Sequence, residues 1–267
     1  LNALKDVFGS GGSFAQSLPN YRERSGQVDL AHAIDAVIKK RGVLVAEAGT
    51  GIGKTWAYLV PAVLSGNKVL VSTGTRTLQD QLFVKDLPTV RDVLGIPLGI
   101  AILKGRANYV CHYYLQRLQD DPQALTSRGE VIWLRQIKQF AQTSKTGDRG
   151  ELSSVPEDAD IWSRVTSTRE NCLAQDCPNV QECFVYKARR QAQDADLVVV
   201  NHALYMADAA LREQGISDLL PQADVVVFDE AHQLPAVATR FLGQMLSSVQ
   251  LLDLAKQSEV AGLAHAR

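Results

Sequence analysis

Residues 47–55 read EAGTGIGKT and lie between an apolar run, GVLVAE at 42–47, and a helical pattern that starts at Lys54. No other stretch constrains the fold as tightly. An apolar run that ends in closely spaced glycines and reopens as a helix calls for strand, tight turn and helix in succession, as at the carboxyl edge of a parallel sheet. Gly49, Gly51 and Gly53 let backbone N–H groups turn toward an anion without Cβ clashes. Lys54 can reach terminal phosphates, and the Thr55 hydroxyl suits Mg²⁺; Thr50 and Ile52 complete the loop. The first glycine usual in such a loop is Ala48 here, a small-for-small change. A purely structural turn is the bland alternative, and the Gly-Lys-Thr ending weighs against it.

The flanking pattern agrees. QVDLAHAIDAVIKK (27–40) carries apolar residues at helical spacing, and residues 54–64 read as a helix with Pro61 near its end. KVLVS (68–72) and LGIAILK (98–104) read as strands, with a helix over 77–87 stopped by Pro88. From 104 to 190 the strands vanish and helical and loop-like sequence takes over; ADLVVVNH (195–202) and ADVVVFDEAH (223–232) then restore the strand pattern. The expected fold is α/β, a parallel sheet with helices on both faces, interrupted by a mainly helical insert. The expected divisions are 1–103 and 191–235 for the sheet domain, 104–190 for the insert, and 236–267 for the start of a second helical insert, including a helix over 247–258.

With 46% hydrophobic and 21% charged residues in 267, the chain can bury a sizeable core. A net charge of −1 gives no electrostatic reason to expect nucleic acid, so such a partner must be argued locally. No apolar run approaches the roughly 18 residues of a membrane span, and the start lacks the order of a secretory signal. A cytoplasmic location is expected, where thiols stay reduced.

Asp229 and Glu230, in the sequence DEAH, follow the apolar run VVVF. An acidic pair there can be a solvated turn. Together with the glycine-rich loop it reads as an ATP-hydrolysis centre, Asp229 holding Mg²⁺ and Glu230 acting as general base on the attacking water. Cys172, Cys177 and Cys183 crowd a polar, proline-containing loop, and Cys111 is the remaining cysteine. Their surroundings do not suit thiols buried for packing. Four thiolates can hold an iron–sulfur cubane or a zinc ion. The Cys-x4-Cys-x5-Cys spacing lacks a CxxC knuckle and favours iron, but zinc stays open.

Together EAGTGIGKT, DEAH, STGTRTLQDQL (72–82) and LKGRANYVC (103–111) with the later cysteine trio resemble the first motor domain of superfamily-2 helicases. Among these, the chain is most similar to the XPD/DinG-like iron–sulfur DNA helicases, in their bacterial YoaA-type branch, from about Tyr21 to Ser258. The resemblance implies a RecA-like (P-loop) domain, ATP and Mg²⁺ as cofactors, and a [4Fe–4S] cluster on Cys111, Cys172, Cys177 and Cys183. It implies that Gln27 reads the adenine edge and that His232 couples nucleotide state to DNA. Single-stranded DNA contacts fall to Thr73, Arg106, Tyr109 and Asn201; bracing of the insert is the alternative for Arg106 and Tyr109, and a strand-terminating asparagine for Asn201. The implied activity is ATP-dependent 5′–3′ unwinding of forked duplex DNA in repair or replication, by a monomer, with replication or repair proteins as candidate partners. The Leu start and the short stretch after DEAH suggest the N-terminal part of such a helicase, poorly active alone. A zinc-stabilised ATP-switch module and a silent scaffold are the alternatives.

Overall fold

The computed structural model describes residues 3–121, 125, 127–215 and 219–243. Four parallel strands, β1 (Val69–Thr73), β2 (Ile100–Ile102), β3 (Leu197–Asn201) and β4 (Val225–Phe228), lie in the order β2-β3-β1-β4. Val71 pairs with Val199 on one side and Val227 on the other. The central strands β1 and β3 are almost wholly buried, as continuous apolar runs in a covered parallel sheet should be. This is the RecA-like α/β arrangement expected.

Helices α1 (Ala3–Phe8), α2 (Ser13–Ser17), α3 (Ser25–Lys40) and α4 (Lys54–Leu64) belong to one face. So do α5 (Arg76–Gln81) and α6 (Leu87–Leu94), which a π-helical turn at Leu82–Asp86 joins. The core of this face contains Val69, Val71, Leu197 and Val199. The other face carries Leu70, Val198 and Val200. They share one core with Tyr109, Ile137, Trp162 and Phe184 from the cysteine-bearing segment. That segment forms α7 (His112–Asp120), α8 (Arg128–Thr143), α9 (Ile161–Val165) and α10 (Phe184–Asp194), which crosses the expected boundary at 190. After β3 comes α11 (His202–Glu213), and after β4 comes α12 (Leu234–Leu242). Alternate residues along β1 and β3 thus face opposite layers, and the insert supplies much of one layer.

Three expectations change. Residues 42–47 form no strand: Val43 and Val45 are 91% and 93% exposed. An apolar run becomes a strand only where a neighbour supplies ladder partners, and no described strand lies against it. Pro88 does not stop the helix: the wider π turn before it absorbs the missing N–H, and Pro88 sits in the first turn of α6. The glycine- and serine-rich start is ordered. Phe8 and Phe14 are fully buried, and Phe14 stacks on Trp56 of α4 with centroids 4.6 Å apart. The helix expected over 247–258 lies outside the described residues.

Candidate nucleotide site and cysteine-lined cavity

The glycine-rich loop ends at Gly53, which caps α4 at φ 88°, ψ 40°, with no side chain on the free N–H groups of the first turn. Four orphan donors and the positive end of the helix dipole therefore face outward, an arrangement that favours an anion. Gly51 is also left-handed, at φ 82°. At Gly53 a Cβ would fall 2.2 Å from the Gln27 amide nitrogen, so space and conformation both require glycine. Gly49, Thr50 and Gly51 are exposed, and Ile52, Gly53, Lys54 and Thr55 are partly so. The loop is open to a ligand.

Asp229 and Glu230 follow β4 directly. The backbone N–H of Asp229 donates to the Ser72 carbonyl at 2.9 Å, which fixes the end of β4 to β1. Tyr58 of α4 donates its hydroxyl to Asp229 Oδ2 at 3.2 Å, and the Glu230 N–H donates to Oδ1 at 3.1 Å. Burial raises the Asp229 pKa, opposed by the Tyr58 hydrogen bond and reinforced by the Glu230 charge. A divalent cation beside this carboxylate would offset its poor solvation. Glu230 is left-handed at φ 57°, ψ 42°. Its carboxylate stands 3.9 Å from Lys54 Nζ and 3.4 Å from His232 Nδ1. Lys54, Asp229 and Glu230, far apart in sequence, thus meet at one mouth.

Gln27, expected at the adenine edge, is 1% exposed, donates its amide to the Gly53 carbonyl at 2.9 Å and accepts from Tyr21 at 3.4 Å. These contacts brace the phosphate loop.

All four cysteines are free thiols, and all four line one cavity of about 460 Å³, together with Arg106, Tyr114 and Arg189. Cys111 caps α7 and Cys183 caps α10, so two helices and a loop present the sulfurs. Burial pushes the Cys111 thiol up, while the backbone N–H groups of Tyr114 and Tyr113 oppose it. Arg106 Nη1 lies 3.1 Å from Cys172 Sγ, a charge-assisted donor to that sulfur. Among the described residues, no three His, Cys, Asp or Glu side chains stand close enough to hold a single metal ion. Four cysteine sulfurs around one cavity are a donor set that suits an iron–sulfur cluster or a zinc ion alike.

The expected DNA contacts fare differently. Thr73 is fully buried and donates its hydroxyl to the Thr75 carbonyl, and Tyr109 is 3% exposed with its hydroxyl accepting from the Lys104 N–H. In this structure both side chains brace the loops that follow their strands. Arg106 turns to the cysteines, and Asn201 caps α11 by accepting from the Leu204 N–H at 2.8 Å. Sequence reasoning passed over Tyr58 and Ser72. The only signal for Tyr58 was its place one helical turn after Lys54.

Two family models match: DEAD/DEAH box helicase over residues 29–106 and DEAD_2 over residues 79–251. The chain is 44% identical over 261 residues to "ATP-dependent DNA helicase YoaA" of Haemophilus influenzae, and 46% identical over 263 residues to the protein of that name in Escherichia coli. Each alignment covers 97% of this chain and 40% of the relative. It is 37% identical over 251 residues to "ATP-dependent helicase DinG" of Mycobacterium tuberculosis, covering 85% of this chain and 37% of that one. The chain therefore spans about two fifths of the length of these relatives.

Proposed function

The chain belongs to the DEAD/DEAD_2 helicase family, and on that footing we propose that it is the nucleotide-binding motor portion of an ATP-dependent DNA helicase. The observation that carries this reading is the meeting of Lys54, Asp229 and Glu230 at an uncapped helix N-terminus. The N–H groups of residues 49–55 and the Lys54 ammonium hold the β- and γ-phosphates. Thr55 and Asp229 would hold Mg²⁺, which would offset the charge of the phosphates. Glu230 Oε accepts the proton of the attacking water and aligns it with the γ-phosphorus. Lys54, beside Glu230 before nucleotide binds, turns to the phosphates and leaves that carboxylate free.

Cys111, Cys172, Cys177 and Cys183 would hold a [4Fe–4S] cluster, which would supply a covalent cross-link between the two helices and the loop. Single-stranded DNA and a forked duplex are the proposed substrates, with 5′–3′ movement, a role in repair or replication, a monomeric state and a cytoplasmic location. No helix among the described residues is long and apolar enough to cross a membrane.

Two variants and one analysis test this. Lys54→Ala abolishes nucleotide binding, whereas Glu230→Gln binds nucleotide and stops turnover. Anaerobically purified protein contains iron and sulfide and absorbs near about 400 nm; zinc without iron would refute the cluster assignment. Undiminished turnover in Glu230→Gln would refute the hydrolytic centre.

A further inference from the structure

The acidic turn is fastened to the end of β1 at two points, with Glu230 between them. The first is the Asp229 N–H, which donates to the Ser72 carbonyl at 2.9 Å. The second is the Gln233 side chain, whose carboxamide lies over Gly74, the first residue beyond β1. A Cβ on Gly74 would meet Gln233 Cδ at 2.7 Å and Nε2 at 2.8 Å. Gly74 is not among the left-handed glycines, so the close approach of that amide, and not the backbone angle, is what calls for glycine here. The Gln233 N–H returns to the Glu230 carbonyl at 3.0 Å and closes the single 3-10 turn Ala231–Gln233.

The turn needs such a hold. Glu230 is one of three non-glycine residues with positive φ among the described residues, and a glutamate stays in that region only where its surroundings require it. A pinned start and a pinned end restrict the path between them, on which the Glu230 carboxylate stands 3.9 Å from Lys54 Nζ. We propose that Gln233 is a positioning residue: seated on Gly74, its side chain fixes the far end of the turn 229–233 and so aims the Glu230 carboxylate at the phosphate site. The inference rests on the hydrolytic reading above. Its bland competitor is a half-buried glutamine that only covers a loop.

Gly74→Ala separates the two, because its methyl group suits the backbone and meets only the free end of the Gln233 side chain, which can swing away. In the protein carried to the length of its relatives, DNA-stimulated ATP turnover and melting temperature are measured for Gly74→Ala, Gln233→Ala and the two together, with Glu230→Gln as reference. Affinities for a fluorescent ATP analogue and for single-stranded DNA are measured on the same proteins. Each single variant loses about tenfold or more in kcat, keeps both affinities within about threefold of the parent, and melts with it. The pair loses no more than Gln233→Ala alone, because both changes break one contact. Parental turnover in either single variant, either affinity falling in step with kcat, or losses that multiply in the pair would overturn the proposal. So would a single variant that fails to fold or melts well below the parent, since the contact would then support the fold rather than the turn. Full turnover in Glu230→Gln sinks the hydrolytic reading itself. An inert Glu230→Gln beside three parental variants sinks only the positioning role.

Discussion

Lys104 leaves β2 toward the cysteine-bearing segment, and its ammonium sits between two carboxylates, 2.6 Å from Asp80 of α5 and 2.6 Å from Asp148. Lys104 is 6% exposed, Asp148 13% and Asp80 51%. The two contacts are therefore unequal. Replacing Asp80 by Asn removes an exposed partner and costs about 0–1 kcal/mol. Lys104→Met keeps the apolar stem but strands the buried Asp148 charge, a loss of about 3–5 kcal/mol. For a chain of this size, that lowers the melting temperature by roughly 6–20 °C. Lys104→Met with Asp148→Asn removes the stranded charge and recovers about 2 kcal/mol or more relative to the sum of the single changes. Burial pulls the Lys104 pKa down, but Asp148 and Asp80 more than offset it, so the folded value lies above the ordinary 10.5. A raised lysine pKa contributes stability that is fully present below about 10.5 and fades as pH climbs through the folded value. The gap between the parent and Lys104→Met is thus constant through neutral pH and narrows only in strong alkali. Thermal and urea unfolding followed by circular dichroism measure all five proteins, the single Asp148→Asn change included. Strictly additive losses, or a Lys104→Met protein melting with the parent, would show that the ammonium is solvated and the reasoning mistaken.

Three further outcomes follow from single contacts. Burial raises the Asp229 pKa, so the stability linked to its proton is present below about 3.8 and lost as pH rises through the folded value. Without Mg²⁺, Asp229→Asn should then melt above the parent at neutral pH and with it in acid, while losing Mg²⁺-dependent nucleotide binding; a lower neutral melting point would contradict this. Gly53→Ala places a Cβ on the Gln27 amide and a side chain at φ 88°, a backbone cost of about 1–2 kcal/mol. Nucleotide titration should show weakened binding, and adding Gln27→Ala should relieve the clash but not the backbone cost. Tyr109→Phe leaves the buried Lys104 N–H without its acceptor and should cost about 1–3 kcal/mol with unchanged single-strand DNA affinity. A base-stacking residue would behave in the opposite way, with Tyr109→Leu weakening DNA binding and Tyr109→Phe leaving stability intact.

What could be read from the sequence was what is local. The runs at 68–72 and 195–202 became strands because a parallel sheet covered on both faces demands continuous apolar residues, and the run at 223–232 became the edge strand β4, where Val226 stays 40% exposed. The glycine-rich loop was legible because anion geometry needs small residues at fixed spacing. The start of the chain was not, because Phe8 and Phe14 acquire meaning only against Trp56, some forty residues on. The apolar run at 42–47 looked no different from a strand, since sequence shows side chains but not whether a ladder partner stands beside them. The burial of Thr73 and Tyr109 was hidden for the same reason: burial is a tertiary property, and polar or aromatic identity alone does not reveal it.

The cysteine cavity and the acidic pair are joined by very little chain. Cys183 caps α10, α10 leads through two residues into β3, and β3 ends at Asn201, whose neighbour His202 has Nδ1 2.7 Å from Ser72 Oγ, while the Ser72 carbonyl holds the Asp229 N–H. Each link is stiff. Phe184, Val185 and Ala188 of α10 are buried in the same core as Val198 and Val200 of β3, and β3 is hydrogen-bonded on both edges. A close-packed core transmits displacement rather than absorbing it. A change at the sulfurs that moves the start of α10 must therefore deform this core or shift β3, and β3 carries His202 with it. That continuity gives the sulfurs a mechanical route to the acidic turn that does not pass through the glycine-rich loop.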